Sequence, residues 1–374
     1  MMRSELRMKH ERIISPFYCS LIAGCALSIA TSCFAQDGST DTTTPTTPAI
    51  GAQNSPMESE ITPELDDAVS TGISYLVETQ NEDGSWESGR FGKNVAITSL
   101  ACLAMMADGH VPGRGPYGDA VDRGVEYILN STADNGLITS EANNGPMYGH
   151  GFAALFLGEV YGMTPGGDNA RTTRIHETLV RSIRLIEQTQ NEDGGWRYNP
   201  VPYDADVSVT ICQIMALRSA RNAGIEVSSE VIDRAVEYVR MCQNSDGGFK
   251  YQLGSGNSAW PRTAAGIASL YYSGIYEDDA IDRGLAYLES NALPGKASST
   301  RSHYFYGQYY AVQTMYLAGG AHWELWWPAI RGELIQTQND DGSWDDRSVG
   351  KPYGTAMALI ILQMPKRYLP IFQK

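Results

Sequence analysis

Two aspartates, Asp204 and Asp206, stand two residues apart directly before an apolar run that begins at Val207. Tyr198 and Tyr203 precede them. A carboxyl group that is buried among aromatic rings and lies near a second carboxylate has a raised pKa, and an acid that keeps its proton can protonate a substrate. The pair is therefore the candidate catalytic site. For Asp206 the alternative is an N-cap, because aspartate directly before a helix accepts hydrogen bonds from the first turn.

The other candidate functional residues are aromatic or basic and lie beside segments that precede apolar runs. They are predicted to line a cavity and bind its ligand, and they are Tyr198, Tyr203, His150, Trp260, Arg262, His303, Tyr304, Tyr306 and Tyr353. Aromatic walls stabilise the developing cations of polyisoprenoids, and they also stack on sugar rings. The alternative for each is packing between helices. No motif has the spacing of a metal site, so neither a metal nor a cofactor is predicted.

A repeated turn organises the whole chain. QNEDGSW at 80–86 returns as QNEDGGW at 190–196, QNSDGGF at 243–249 and QNDDGSW at 338–344. The intervals between the first glutamines are 110, 53 and 95 residues, and two of them are about twice the third. Degenerate copies are therefore predicted near Asn135-Gly136 and Pro294-Gly295. That gives six units, each about 50 residues long, and a regular repeat of this length indicates a closed or stacked architecture.

Each turn is predicted to join two helices of different character. The Asp-Gly step supplies the bend, since glycine accepts a positive φ without a clash. The helix before each turn has one apolar stripe, whereas the helix after it is apolar nearly all round and so is buried on every side. The sequence therefore predicts six inner helices whose N-termini lie at the same end of the ring, and this end is called the mouth. Their predicted spans are 93–107, 147–161, 206–222, 260–273, 303–318 and 352–364.

These turns resemble the QW repeats of the terpenoid cyclase and protein prenyltransferase superfamily. The resemblance covers the chain from Glu60 to Lys374. It implies an all-α fold, an α/α toroid of six helix pairs with an inner and an outer ring. One fold of this kind hosts unrelated activities, so the activity has to be argued from the site.

The chemistry of the superfamily is matched only in part. Zinc prenyltransferases carry an Asp-x-Cys pair and thioester domains carry GCGEQ, and neither occurs here. Squalene and hopene cyclases carry DxDD followed by Thr-Ala, and their middle Asp is the proton donor. If DAD is aligned with DxD, Asp206 is the donor and Val207 replaces the last Asp. If DVSVT is aligned with DxDDT, more positions match, but Ser208 takes the donor position and is too weak an acid.

The N-terminal residues are predicted to direct export. A basic start and an apolar run from Ile13 to Ala30 indicate a signal peptide over 1–35, followed by a Thr- and Pro-rich disordered linker over 36–59. A lipobox-like sequence ending at Cys25 is the rival processing site and would leave a lipid anchor. The formal charge of -15 argues against nucleic acid as a partner, and no later run is long enough to cross a membrane.

Two classes of function follow. The first is an exported cyclase-like protein that acts on or binds an isoprenoid or another lipid in its central cavity. The second is a non-catalytic toroid that binds a glycan or a protein. A related alternative is polysaccharide cleavage by two carboxylates. The loop acids Glu141 and Asp345 are candidates for it in addition to Asp204 and Asp206. The oligomeric state does not follow from the sequence.

Overall fold

The structure is a computed structural model that describes residues 60–140, 145–164, 169–295 and 302–373. The predicted signal peptide, the linker, Cys25 and Glu141 lie outside the described residues.

Twelve α-helices in these ranges alternate between an outer and an inner position. The outer helices are α1 (Pro63–Glu78), α3 (Gly118–Asn130), α5 (Ala170–Gln188), α7 (Ser229–Met241), α9 (Asp279–Asn291) and α11 (Gly320–Thr337). The inner helices are α2 (Val95–Ala107), α4 (Met147–Met163), α6 (Val207–Asn222), α8 (Trp260–Tyr272), α10 (Tyr304–Ala318) and α12 (Lys351–Leu362). One antiparallel pair of short strands, β1 (Glu87–Ser88) and β2 (Gly92–Lys93), precedes α2. Two 3₁₀ helices, Met364–Lys366 and Pro370–Phe372, end the described chain.

The inner helices form a closed ring. Each packs against the next in the order α2, α4, α6, α8, α10 and α12, and α12 packs back against α2. Each inner helix also packs on the outer helix that follows it, with α12 packing on α1. The predicted α/α toroid is confirmed, and every predicted inner helix lies within two residues of its observed bounds. No helix in the described ranges has the length and apolar character needed to span a bilayer.

Burial separates the two rings as their sequences predict. Twelve of the thirteen residues of α2 are buried, whereas α3, of equal length, buries only seven along one stripe. Small residues let the inner helices approach closely. A Cβ on Gly151 of α4 would lie 2.8 Å from the Cβ of Cys212 on α6, so a larger residue there would push the two helices apart.

The repeated turn binds the outer helix of the next unit. Gly84 has a φ of 88°. A side chain at Gly84 would clash with the backbone carbonyl of Arg123 on α3. The Gln80 amide nitrogen donates to the Gly84 carbonyl at 3.1 Å and to the Ala120 carbonyl on α3 at 2.8 Å. Glycine is therefore required both for its backbone conformation and for this close approach.

The same contact closes the ring. Gly342 in the last turn approaches the Thr71 carbonyl on α1. Gln338 donates to the Gly342 carbonyl and to the Ala68 carbonyl on α1, both at 2.9 Å. The last unit thus contacts the first in the same way as the first unit contacts the second.

In the turns that carry a tryptophan, this residue anchors the outer helix to the inner one. The Trp196 indole N–H donates to the Ile186 carbonyl at the end of α5 at 2.7 Å. The Trp196 backbone N–H donates to the Thr210 hydroxyl on α6 at 3.1 Å. Only 1% of Trp196 is exposed. Trp86 and Trp344 make the same pair of contacts. The tryptophan side chain is therefore a structural part of the repeat.

The C-terminal segment closes the end of the ring opposite the mouth. The buried Glu159 carboxylate on α4 accepts the Ser219 hydroxyl of α6 at 2.7 Å and the Ile371 backbone N–H at 3.1 Å. Lys366 pairs with Asp108 at 2.6 Å. Burial raises the pKa of Glu159 to about 7, because the charged form loses its hydration.

Replacing Trp196 with alanine is expected to lower the free energy of unfolding by about 3 to 5 kcal/mol, the usual effect of truncating a large buried aromatic. Trp196→Phe is the matched control. It keeps most of the apolar contact and removes the indole hydrogen bond, for about 1 to 2 kcal/mol. Denaturant unfolding measures both, and an alanine variant as stable as the native protein would contradict this role.

The buried Glu159 predicts a pH-dependent stability. Its folded pKa of about 7 lies above the ordinary value of 4.5, so the unfolded chain loses the proton first as the pH rises. The contribution of Glu159 should therefore fall by about 3 kcal/mol as the pH rises through that window. Glu159→Gln should lack this component while keeping the side-chain shape. Parallel unfolding profiles for the two proteins would show that Glu159 does not titrate there.

Candidate functional site

Asp206 lies at the start of α6 with extended backbone and no exposed surface. Its Oδ1 accepts the Val209 backbone N–H at 2.9 Å, which makes Asp206 the N-cap of α6. Its Oδ2 accepts the Tyr251 hydroxyl at 3.1 Å and lies 3.8 Å from Nε of Arg197. Both carboxylate oxygens are thus engaged by the wall of the site.

Asp206 combines a capping role with a raised pKa. Burial raises its pKa to about 6, against the lowering effects of the Val209 N–H, the Tyr251 hydroxyl and the Arg197 charge. Capping alone would lower the pKa of a carboxyl group. Here desolvation outweighs the cap, so the two alternatives inferred from sequence are not exclusive.

Asp204 is the more accessible member of the pair. Its carboxylate forms an ion pair with Arg197, and 39% of its side chain is exposed. The Arg197 guanidinium lies 5.3 Å from the ring centroid of Tyr198 and 5.8 Å from that of Tyr251. One arginine therefore bridges both aspartates and contacts two aromatic rings.

The segments before the inner helices meet at one rim. The Met147 N–H at the start of α4 donates to the Tyr198 carbonyl at 3.1 Å. The Val207 N–H at the start of α6 donates to the Tyr251 carbonyl at 3.0 Å. Helices α4, α6 and α8 therefore begin at the same end of the ring, as predicted for a shared mouth.

Tyrosines fill the middle of the ring below this mouth. The Tyr306 hydroxyl donates to the Ser208 carbonyl across the ring at 3.1 Å. The Tyr310 ring packs edge-on against Tyr306 at 4.9 Å and against Tyr309 at 4.8 Å. Tyr309 and Tyr310 have no exposed surface. Tyr306 is half-buried, and burial raises its pKa well above the ordinary value.

His150 serves the repeat rather than the mouth. Its Nδ1 accepts the Ile138 backbone N–H at 3.1 Å, and its Nε2 lies 3.2 Å from the Ser182 carbonyl. Thr210 has the corresponding contact to Trp196 in the next unit. His150 is fully buried, and burial lowers its pKa to about 4. Its surroundings are thus those of a neutral structural histidine in a degenerate repeat.

Trp260 and Arg262 lie on α8 in different surroundings. The Trp260 ring packs against Gly307 of α10, where any side chain would clash with it, and Trp260 is only 9% exposed. The Arg262 guanidinium lies 5.8 Å from the centroid of Tyr251 and donates to the Asn257 carbonyl at 2.8 Å. Arg262 therefore belongs to the mouth, and Trp260 packs between two inner helices.

The remaining candidates are spread over the last two units. His303 is exposed and has a left-handed φ of 55° before α10. Tyr304 is half-buried and packs edge-on against Phe305 at 5.1 Å. Tyr353 at the start of α12 is half-buried, and burial raises its pKa.

Sequence reasoning missed Arg197 as a site residue and left Tyr251 out of the candidate set. Arg197 carries a signal, since it follows the tryptophan of a turn directly and lies seven residues before Asp204. Its pairing with both aspartates depends on how the 198–205 loop folds back. Tyr251 belongs to the next unit, and the packing of consecutive units brings it to Asp206.

An open cavity of about 350 Å³ lies at the mouth beside the aspartate pair. It is lined by Arg197, Tyr198, Asn199, Val201, Tyr203 and Asp204. Tyr203 is 86% exposed and Val201 is 52% exposed. Within the described ranges no three His, Cys, Asp or Glu side chains gather as a metal site would require.

Comparison with known proteins agrees with this fold. Residues 168–302 match the squalene-hopene cyclase C-terminal domain family. Over 187 residues the chain is 26% identical to drimenyl diphosphate synthase of Streptomyces showdoensis, which covers 49% of this chain and 32% of that protein. The chain thus spans less than two thirds of this relative. The predicted resemblance to the terpenoid cyclase superfamily is confirmed.

Solved structures of two kinds share the toroid. The type II terpene cyclase MstE from Scytonema, in complex with its substrate geranylgeranyl dihydroxybenzoate, has a TM-score of 0.56 and 16% identity, over 82% of this chain and 98% of that one. An inactive variant of the GH76A α-1,6-mannanase of Salegentibacter sp. HEL1_6, in complex with α-1,6-mannotriose, has a TM-score of 0.60 and 8% identity, over 81% and 99%. Identities this low establish the fold alone.

NMR titration should find the Asp206 carboxyl with a pKa near 6, above its ordinary value of 3.8. Because the folded pKa is raised, the Asp206 contribution to stability should fall by about 3 kcal/mol between those two pH values. Asp206→Asn is the control, since asparagine also caps helices and does not titrate. A measured pKa below 4 would show that the cap and Arg197 outweigh burial.

Proposed function

We propose that this protein is a non-catalytic toroid that binds a glycan at its mouth. The observation that carries the proposal is the open cavity beside Asp204, which combines the charged Arg197 and Asp204 with the exposed Tyr203. Export, inferred from residues 1–35, would bring this mouth into contact with polysaccharides outside the cytoplasm.

The lining of the cavity suits a sugar better than an isoprenoid. Arg197, Asn199 and Asp204 present hydrogen-bond donors and acceptors, and sugar hydroxyls can satisfy both kinds. A hydrocarbon chain would bury these groups without replacing their hydrogen bonds to water, which is costly. The ring of Tyr203 supplies an apolar face on which a sugar ring can stack.

The position of Asp206 favours binding over chemistry. A glycosidase needs two carboxyl groups that both reach the bond to be cleaved. Asp206 has no exposed surface, and its oxygens are engaged by Val209 and Tyr251. Asp204 alone is accessible, so the pair lacks one partner for acid-base catalysis at the mouth.

An isoprenoid cyclase is the second candidate function. It is favoured by the raised pKa of Asp206, because a cyclase acid has to keep its proton near neutral pH. For this reaction the Tyr251 hydroxyl would have to leave Asp206 and the tyrosines in the middle of the ring would have to move apart. The cyclase motif is also incomplete in either alignment: Val207 replaces the last aspartate if DAD is aligned with DxD, and Ser208 takes the donor position if DVSVT is aligned with DxDDT.

Asp204→Ala is expected to weaken polysaccharide binding about tenfold, the effect of losing a hydrogen bond to a charged group. Affinity electrophoresis in gels that contain soluble mannans or glucans measures the retardation. Asp119→Ala is the matched control, since Asp119 is an exposed aspartate at the start of α3, away from the mouth. It should leave the retardation unchanged.

A different outcome would support the cyclase. If the native protein is not retarded by any of these glycans and converts geranylgeranyl compounds to cyclic products, the cyclase is the correct function. Asp206→Asn should then abolish the conversion.

A further inference from the structure

The loop between Trp196 and Asp206 is fixed at its base. The Asp206 N–H donates to the Trp196 carbonyl at 2.9 Å, which closes the loop. The ion pair between Arg197 and Asp204 joins the two ends of the loop a second time, one residue in from the first end and two residues in from the other. The Tyr198 carbonyl accepts the Met147 N–H of α4, so the loop is also held by the neighbouring inner helix.

The tip of the loop is stiff and displays an aromatic ring. Pro200 and Pro202 fix two φ angles. The Val201 N–H donates to the Asn199 carbonyl at 2.8 Å, and the Tyr203 N–H donates to the Val201 carbonyl at 2.9 Å. A ligand that stacks on Tyr203 therefore has to order little of the backbone, which lowers the entropic cost of binding.

The cavity offers aromatic rings at two depths. Tyr198 is half-buried, its ring 6.0 Å from that of Tyr148 on α4. Tyr203 lines the same cavity but is 86% exposed, so nearly all of its surface is free. Because its side chain is so exposed, Tyr203 can stack on a sugar that lies outside the cavity, next to a sugar that binds inside it.

We infer that the ligand of the mouth is an extended glycan chain of several residues, for which Tyr203 is an outer subsite that a single sugar does not fill. This inference rests on the proposed function. It adds the length of the ligand and assigns Tyr203 a role distinct from that of Asp204.

The test is a length series measured by calorimetry on the full chain. The probes are α-1,6-linked mannose oligomers and β-1,4-linked glucose oligomers of one to six residues. The affinity of the native protein should rise about tenfold or more from the monomer to the longer oligomers. Tyr203→Ala should remove most of this rise, so that the hexamer loses far more affinity than the monomer. Tyr276→Ala, which alters an exposed tyrosine after α8, is the control.

A second variant tests the stiffness of the loop. Replacing both Pro200 and Pro202 with glycine keeps Tyr203 and should weaken only the longer oligomers. Affinity that is equal at all lengths, or an equal loss for monomer and hexamer in Tyr203→Ala, would overturn the inference while the glycan-binding function stands. Failure of the native protein to bind any oligomer of either series would overturn both.

Discussion

The contact on which this structure depends is the approach of a glycine in one unit to a backbone carbonyl in the outer helix of the next. At Gly84 and Gly342 the positive φ and the close approach occur together, and the glutamine amide at the start of each turn joins the two units by hydrogen bonds. Gly136, Gly194 and Gly247 approach the outer helix of the next unit in the same way, so these turns fix the position of the unit that follows. Because the last turn makes this contact with α1, the repeat ends in a closed ring and not in an open solenoid.

The repeated turn determines where the site can form. Before five of the six inner helices a glycine approaches the next outer helix, and α4, α6 and α8 begin at the same end of the ring. The loop that carries Asp204 comes from the third unit and Tyr251 from the fourth, and the Val207 N–H joins them. Residues about 45 positions apart in sequence become hydrogen-bond partners at Asp206 as a consequence of the architecture.

The sequence predicts the fold well because the repeat is local. The turn, the amphipathic outer helix and the apolar inner helix each depend on residues within one unit, and their order repeats. The site was harder to predict, since it depends on contacts between units. His150 illustrates the limit: it occupies the position at which Thr210 supports Trp196, but in a unit whose turn has lost its motif. Because the motif is missing, the sequence does not show that this histidine belongs to the repeat. It shows only a histidine beside the predicted mouth, which is what a ligand-binding residue would look like.

The sequence motif around Asp206 and the surroundings of its carboxyl group favour different roles. Its position in DADVS and its raised pKa are both features of a cyclase acid. A proton donor also needs one oxygen that faces the substrate, whereas here Val209, Tyr251 and Arg197 surround the carboxylate. These three groups lower the pKa of Asp206, but the burial of the carboxyl group outweighs them, and the same burial keeps a ligand away. The side chains of the mouth that a ligand can reach are therefore those of Asp204 and Tyr203, which are closer to the solvent than Asp206.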